Sequence, residues 1–356
     1  MTWLRLAMLL LGLGLFAWVL QASDLAQVGG ALAKLGLAGA AAVAAIYLLA
    51  FVVDTLSWQL ALPITTGRTT GAAAGTGLRW LYRLWKVRMV GEAFNVALPT
   101  TVGGEPVKAV LLKRHYGVPF NQSGASLVIA KTVNLLALVG FALIGLIAML
   151  AVDVLSHAHD VVAVAGLAAL ALGSFGFFAV QRWRVASQLA HLLARWRQAR
   201  RLEAVLEQID AVEGHFHEFY VRRPGRFAAA LALAFLNWCL GAAELWLIMA
   251  LLGHPQSWGE AWMLAALIEL VRAGTFFIPA SLGATELAFV LIVEALSGQA
   301  ALGLAVSLVR RAREILWIAW GLSLGWSFSA LRAATDARPA AVSPATAEVP
   351  AAKQDR

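Results

Sequence analysis

The stretch Phe94-Asn95-Val96-Ala97-Leu98-Pro99-Thr100-Thr101-Val102-Gly103-Gly104-Glu105 decides how this chain is read. It lies in a region of membrane-grade hydrophobicity, yet it holds a proline, two glycines and an acid. A weaker version stands at Phe276-Phe277-Ile278-Pro279-Ala280-Ser281-Leu282-Gly283-Ala284-Thr285-Glu286. In both, Gly follows Pro by four residues and Glu follows soon after. Proline removes a backbone donor and glycine loosens the turn, so neither stretch is predicted to be a continuous helix. Broken backbone at membrane depth is tolerated only inside protein or beside water. Paired breaks in corresponding halves of a chain point to a transporter's binding site.

Composition supports a membrane setting. The chain has 356 residues, 61% of them hydrophobic and 13% charged, against roughly 25% charged in soluble domains. The single cysteine, Cys239, sits in an apolar run and excludes an internal disulfide. The formal net charge of +8 is gathered in a few loops. That placement fits membrane topology and an anionic lipid surface on the cytoplasmic side, not nucleic acid.

A span needs about 20 mostly apolar residues. Six are expected: Trp3 to Leu20, Gly36 to Leu62, Ser123 to Val152, Val161 to Gln181, Phe227 to Leu252 and Ala300 to Leu331. The first has signal-like features, with Arg5 before the apolar core and Gln21-Ala22-Ser23 after it. The symmetry described next requires it to be retained. Asp54 and Trp58 share one face near the end of the second span, where Asp54 reads as an interfacial acid. Arg68, Arg79, Arg83, Lys86 and Arg88 interleave with Trp80, Leu81, Leu84, Trp85 and Val87, a pattern that predicts a basic amphipathic helix at the lipid surface. Residues 182–226 carry nine Arg and five acids with apolar residues at helical spacing. They read as an interrupted amphipathic helix on the cytoplasmic side. Residues 333–356, rich in Ala and Pro, read as a disordered tail.

Charge placement sets orientation. The arginine-rich segment 182–226 is expected in the cytoplasm, and the cation-free linker 153–160 outside. Residues 64–122 then begin and end on the cytoplasmic side, so the first break falls in a re-entrant hairpin. Residues 255–299 form the second hairpin, entered from the outer face. The expected architecture is an all-α integral membrane protein of six full spans and two re-entrant hairpins. Its two halves, 1–152 and 153–332, form an inverted-topology repeat with both termini cytoplasmic.

Ionisable and strongly polar groups inside the membrane are costly and are functional candidates by default. The first half offers Glu92, Glu105, Lys108, Lys131 and the amide Asn134; the second offers Glu269, Arg272, Glu286, Arg310 and Glu314. Pro99, Gly103, Gly104, Pro279 and Gly283 make the breaks. Lys131, Arg272 and Arg310 suit a phosphate-like headgroup, since arginine offers a planar fork of donors and lysine a point charge. Glu105 and Glu286 would balance these cations or receive an amine. Arg311 and Arg313 read as pairing partners of Glu314 or its neighbours. The opposing reading is a set of buried ion pairs that only fix helix register. His157 and His159, beside Asp153 and Asp160, read as a polar turn rather than a metal site. No nucleotide loop, nucleophile elbow or metal-ligand pattern is present, so no cofactor is expected. Energy would come from a gradient, from downhill flow or from a partner.

Leu98-Pro99 with Gly103-Gly104-Glu105 and Lys108, then Ala130-Lys131-Thr132-Val133-Asn134, then Pro279 with Gly283 and Glu286, carry a family resemblance. Over residues 3–332 the chain resembles the flippase-like membrane domain of bacterial lysyl-phosphatidylglycerol synthases, which also occurs as stand-alone proteins. Asp54, Trp58 and the chain's size also look like the hopanoid-biosynthesis-associated branch. The family commonly has Arg and Asp where this chain has Lys131 and Asn134. The resemblance implies translocation of a lipid such as a hopanoid or aminoacylated phospholipid across the bacterial inner membrane. It implies no enzymatic activity here, since only a short tail follows Leu331. Two other functions fit the residues: a secondary transporter of a small polar solute using Glu105 or Glu286 as proton carrier, and a scaffold that gathers lipid-synthesis enzymes.

Overall fold

A computed structural model describes residues 2–62, 77–97, 103–152, 157–185, 187–188 and 203–336. Pro99 and the rest of 98–102 lie outside the described residues, as do Arg68, Asp153 and the tail from residue 337. The described chain is all-α: α1 (Thr2–Ala22), α2 (Leu25–Ala61), α3 (Leu78–Ala97), α4 (Gly104–Tyr116), α5 (Phe120–Val152), α6 (His157–Arg182), α7 (Glu203–His217), α8 (Pro224–Leu251), α9 (Trp258–Gly274), α10 (Ala284–Ser297) and α11 (Ala300–Asp336). A π-turn at Glu218–Arg222 joins α7 to α8, and a 3₁₀ turn at Pro279–Ser281 lies between α9 and α10.

Among the described residues, Leu25–Ala61, Phe120–Leu150, Val161–Arg182, Pro224–Leu251 and Pro279–Ser297 are long and apolar enough to cross a membrane. The chain is therefore a multi-pass membrane protein. Its outer surface agrees, because Leu143, Ile144, Ile147, Val161, Val162, Leu172 and Phe175 on α5 and α6 are exposed. The expected span at 36–62 is the second part of α2, which breaks at Gly36 with φ 59°. The expected span at 300–331 forms as α11, but Arg310, Arg311, Arg313 and Glu314 in its middle keep it below span-grade apolarity.

Helix α3 departs from the surface reading. Leu84, Val87 and Met89 are fully buried, and Trp80 and Trp85 nearly so. Helical spacing of apolar residues shows that one face is covered but not by what. Here the cover is protein: α3 packs on α11, α4 and α2. Arg79 stays exposed, and the other cations are engaged by protein groups. Arg83 lies over the Tyr116 ring, Lys86 over Tyr82, and Arg88 pairs with Asp54.

Helices α3 and α4 form an antiparallel hairpin. Glu92 meets Lys108 near the break, and Trp80 meets Tyr116 at the far end with ring centroids 5.7 Å apart. The crossing is close because Gly104 backs directly onto the Gly91 carbonyl, where no Cβ fits. The break between α9 and α10 is tight. Ala280, Ser281 and Gly283 have φ of 53°, 47° and 78°. Its backbone groups are bonded internally: Ile278 N–H donates to Thr275 O, Ser281 N–H to Ile278 O and Gly283 N–H to Glu286 Oε2. Such closure is what buried irregular backbone requires.

The two halves interlock. Helix α2 runs antiparallel to α8, with Gly39 against Leu251, Ser57 Oγ donating to Ala230 O, and Arg226 donating to Leu62 O. The first arm of each hairpin lies on the closing helix of the other half, α3 on α11 and α9 on α5. Glycines open the space: Gly321 and Gly325 receive Met89 and Val90, and Gly145 receives Ala266. The described part of segment 182–226 folds back against α5 and α6, with Phe216, Phe219 and Tyr220 buried in the core. Tyr220 donates to Gln181, which donates to Thr132 on α5, and burial pushes the Tyr220 phenol up.

Candidate functional site

A cavity of about 480 Å³ lies where both hairpins meet α2, α5, α8 and α11. Eight of the ten expected site residues line it: Glu92, Glu105, Lys108, Lys131, Asn134, Glu269, Arg272 and Glu314. A side chamber of about 140 Å³ shares Tyr47, Asn237, Glu269, Arg272 and Glu314 with it and adds Glu244, Arg310 and Arg313. Arg310 therefore stands in the side chamber. Glu286 is buried at the start of α10, away from the main cavity.

The first-half cluster grows from the hairpin. Glu92 ends on the α4 side of α3, five residues before Ala97. Lys108 Nζ lies 2.6 Å from Glu92 Oε1 and 3.0 Å from Glu105 Oε1. Asn95 ties the break together: its Oδ1 accepts from Gly104 N–H at 2.7 Å, and its Nδ2 donates to Glu92 Oε2 at 3.1 Å. An uncapped helix start would leave that donor unmet. Lys131 reaches in from α5 and stops 3.9 Å from Glu105 Oε1, with 58% of its side chain exposed.

The second-half cluster is tighter. Glu286 Oε1 takes Arg311 Nη2 at 2.5 Å and Nε at 3.0 Å, and Arg311 Nη1 reaches Glu314 Oε2 at 2.7 Å. Arg272 lies 3.6 Å from Glu269 and 3.5 Å from Glu314, with its side chain 41% exposed. Arg310 approaches Glu244 at 3.8 Å and Glu269 at 3.9 Å. Arg313 pairs with Glu244 at 3.1 Å and lies 3.6 Å above the Tyr47 ring.

Sequence reasoning left several of these groups out. Asp54 is not an interfacial acid: it lines the cavity and pairs with Arg88 of α3. Trp58, one turn on, lines the same wall and donates to Ser126 Oγ. Glu244 was visible as an acid within a span, but its partners sit on α11, about 70 residues later in sequence. Arg311 pairs with Glu314 as expected and also with Glu286, whereas Arg313 pairs with the distant Glu244 on α8 instead. Trp317 is part of the cavity wall, 4.8 Å from Tyr47.

Among the described residues the cavity walls thus carry five acids (Asp54, Glu92, Glu105, Glu269, Glu314) and four bases (Arg88, Lys108, Lys131, Arg272). Adding Glu244, Glu286, Arg310, Arg311 and Arg313 gives seven of each sign. Such a site can hold a polar group away from lipid, exchanging its ion pairs for pairs with a ligand. Among the described residues, no group of His, Cys, Asp or Glu could hold a metal ion. The side chains of His157 and His159 lie outside the described residues.

A family model described as the lysylphosphatidylglycerol synthase TM region matches residues 5–321. No curated protein and no solved structure gives a match.

Proposed function

Since the chain belongs to the lysylphosphatidylglycerol synthase transmembrane-region family, we propose that it is a lipid translocase of the bacterial inner membrane. It would move a polar-headgroup lipid, such as a hopanoid or an aminoacylated phospholipid, without chemical change to it. The observation that carries this reading is the charged cavity shared by both interrupted hairpins. A polar headgroup needs a wet, protein-lined path through the hydrocarbon layer, while its tails stay in lipid. Lys131 and Arg272 are its headgroup cations, because each lines the cavity and keeps much of its side chain exposed.

We also infer that the halves form an inverted-topology repeat with re-entrant hairpins and cytoplasmic termini. Support comes from pairs that recur 180 residues apart: Pro99 and Pro279, Gly103 and Gly283, Lys131 and Arg311, Asn134 and Glu314, Gly145 and Gly325. The antiparallel α2–α8 contact and the crossed packing of α3 and α9 agree with it. The arginine-rich segment 182–226 would then lie on the side of the anionic lipid surface, and that side is also where lipid-synthesis enzymes would dock.

Reconstitution tests the reading. Liposomes holding the protein should transfer tail-labelled lipid between leaflets, and Glu105→Ala and Arg272→Ala should lose most of that rate. A purified, folded protein that moves no lipid would overturn it.

A further inference from the structure

We propose that the central cavity selects a headgroup with no net charge, a phosphodiester joined to a primary amine, and that the Lys131–Glu105 pair opens to admit it. This deepens the translocase reading and rests on it.

The charge balance of the walls leads to this. Among the described residues the cavity carries five acids and four bases, and the wider network is neutral. A headgroup bearing only a phosphodiester would add uncompensated negative charge beside those acids. Desolvated charge of that kind is costly, because nothing nearby offsets it.

The contacts then choose the point of entry. Lys108 is held within 3.0 Å of two acids, and Arg311 within 2.7 Å of two. Lys131 has its acid at 3.9 Å and is the most exposed of these cations. A zwitterion can replace that one loose pair with two closer ones. Its phosphate oxygens take Lys131 and Arg272, and its ammonium takes Glu105 and the neighbouring Glu92, the latter 31% exposed. The sum of charge in the cavity is unaltered by this exchange. The second-half counterpart, Glu286–Arg311, is closed and buried, so it holds the fold and leaves recognition to the first half.

Equilibrium binding separates this idea from transport. Purified full-length protein in detergent is titrated calorimetrically with dihexanoyl-phosphatidylethanolamine, dihexanoyl-phosphatidylglycerol and glycerophosphoethanolamine. The amine-bearing lipid should bind about tenfold or more tightly than the glycerol one, as expected for one added charged contact. Glu105→Gln removes a negative charge and should shrink that ratio toward one by favouring the anionic lipid. Glu92→Gln is the second variant and should act in the same direction if Glu105→Gln does not fold. Equal or tighter binding of the glycerol lipid, or an unaltered ratio in the folded variant, overturns the proposal. Glycerophosphoethanolamine binding as tightly as the lipid would keep the charge pattern and overturn the lipid as its source. Selective binding without leaflet transfer in liposomes would support the selectivity and overturn the translocase reading instead.

Discussion

Arg311 Nη2 stands 2.5 Å from Glu286 Oε1, tying the twelfth residue of α11 to the first turn of α10. At the matching place in the first half, Lys131 is the twelfth residue of α5 and Glu105 is in the first turn of α4, yet they are 3.9 Å apart. One pair is closed and buried, and the other is loose and open to the cavity.

The closed pair should therefore matter to folding. Breaking a buried pair by removing one partner costs about 3–5 kcal/mol, since the other charge is left unmet. Glu286→Gln and Arg311→Met should each lower the unfolding temperature in detergent markedly. Glu286→Gln also weakens the cap on Gly283 N–H. The double variant should recover part of the loss. Additive losses would show that the two side chains do not act as a pair.

The loose pair should behave in the opposite way. Lys131→Ala removes a cation that is 58% exposed and held at 3.9 Å, so stability should change by less than about 1 kcal/mol. Leaflet transfer should fall by roughly tenfold or more. Lys131→Arg should restore much of it. Wild-type transfer in the alanine variant would remove Lys131 from the headgroup site.

The hairpin crossing depends on missing side chains. Gly104→Ala places a Cβ against the Gly91 carbonyl, and the backbone has no room to yield. A cost of about 1–3 kcal/mol is expected, together with faster proteolysis in the α3–α4 region. Gly91→Ala instead meets the flexible Lys108 side chain, which would move away from Glu92. Its effect should fall on transport more than on thermal stability. Equal thermal losses in both variants would contradict this.

Two-sided labelling tests the re-entrant hairpins. With Cys239 replaced by Ser, single cysteines at Gly77 and Gln122 should label from one face of the membrane. Cysteines at Ser257 and Gln299 should both label from the opposite face. Labelling of Gly77 and Gln122 from different faces would make the first hairpin a crossing, and the inverted repeat would fail.

Much of the site was legible as chemistry. A charged or strongly polar residue within an apolar segment stands out because hydrocarbon offers it no partner, and eight of the ten residues chosen this way line one cavity. Asp54 and Arg88 were misread because each looked solvated on its own helix. Asp54 stood near a helix end and Arg88 in a basic run, but α3 folds inward and buries each against the other. Arg310 and Glu286 were placed at the headgroup because charge shows cost and not direction; they point into the side chamber and into α11.

By itself the sequence determined that this is a helical membrane protein, because twenty apolar residues in a row have few other stable places. It also determined where the helices break, because proline and glycine act on the local backbone. Only the tertiary structure decided that α3 lies on α11 and α9 on α5, and so which acid meets which base. Those partners come from distant parts of the chain, and their pairing depends on glycine-sized gaps at Gly145, Gly321 and Gly325 that no local pattern announces.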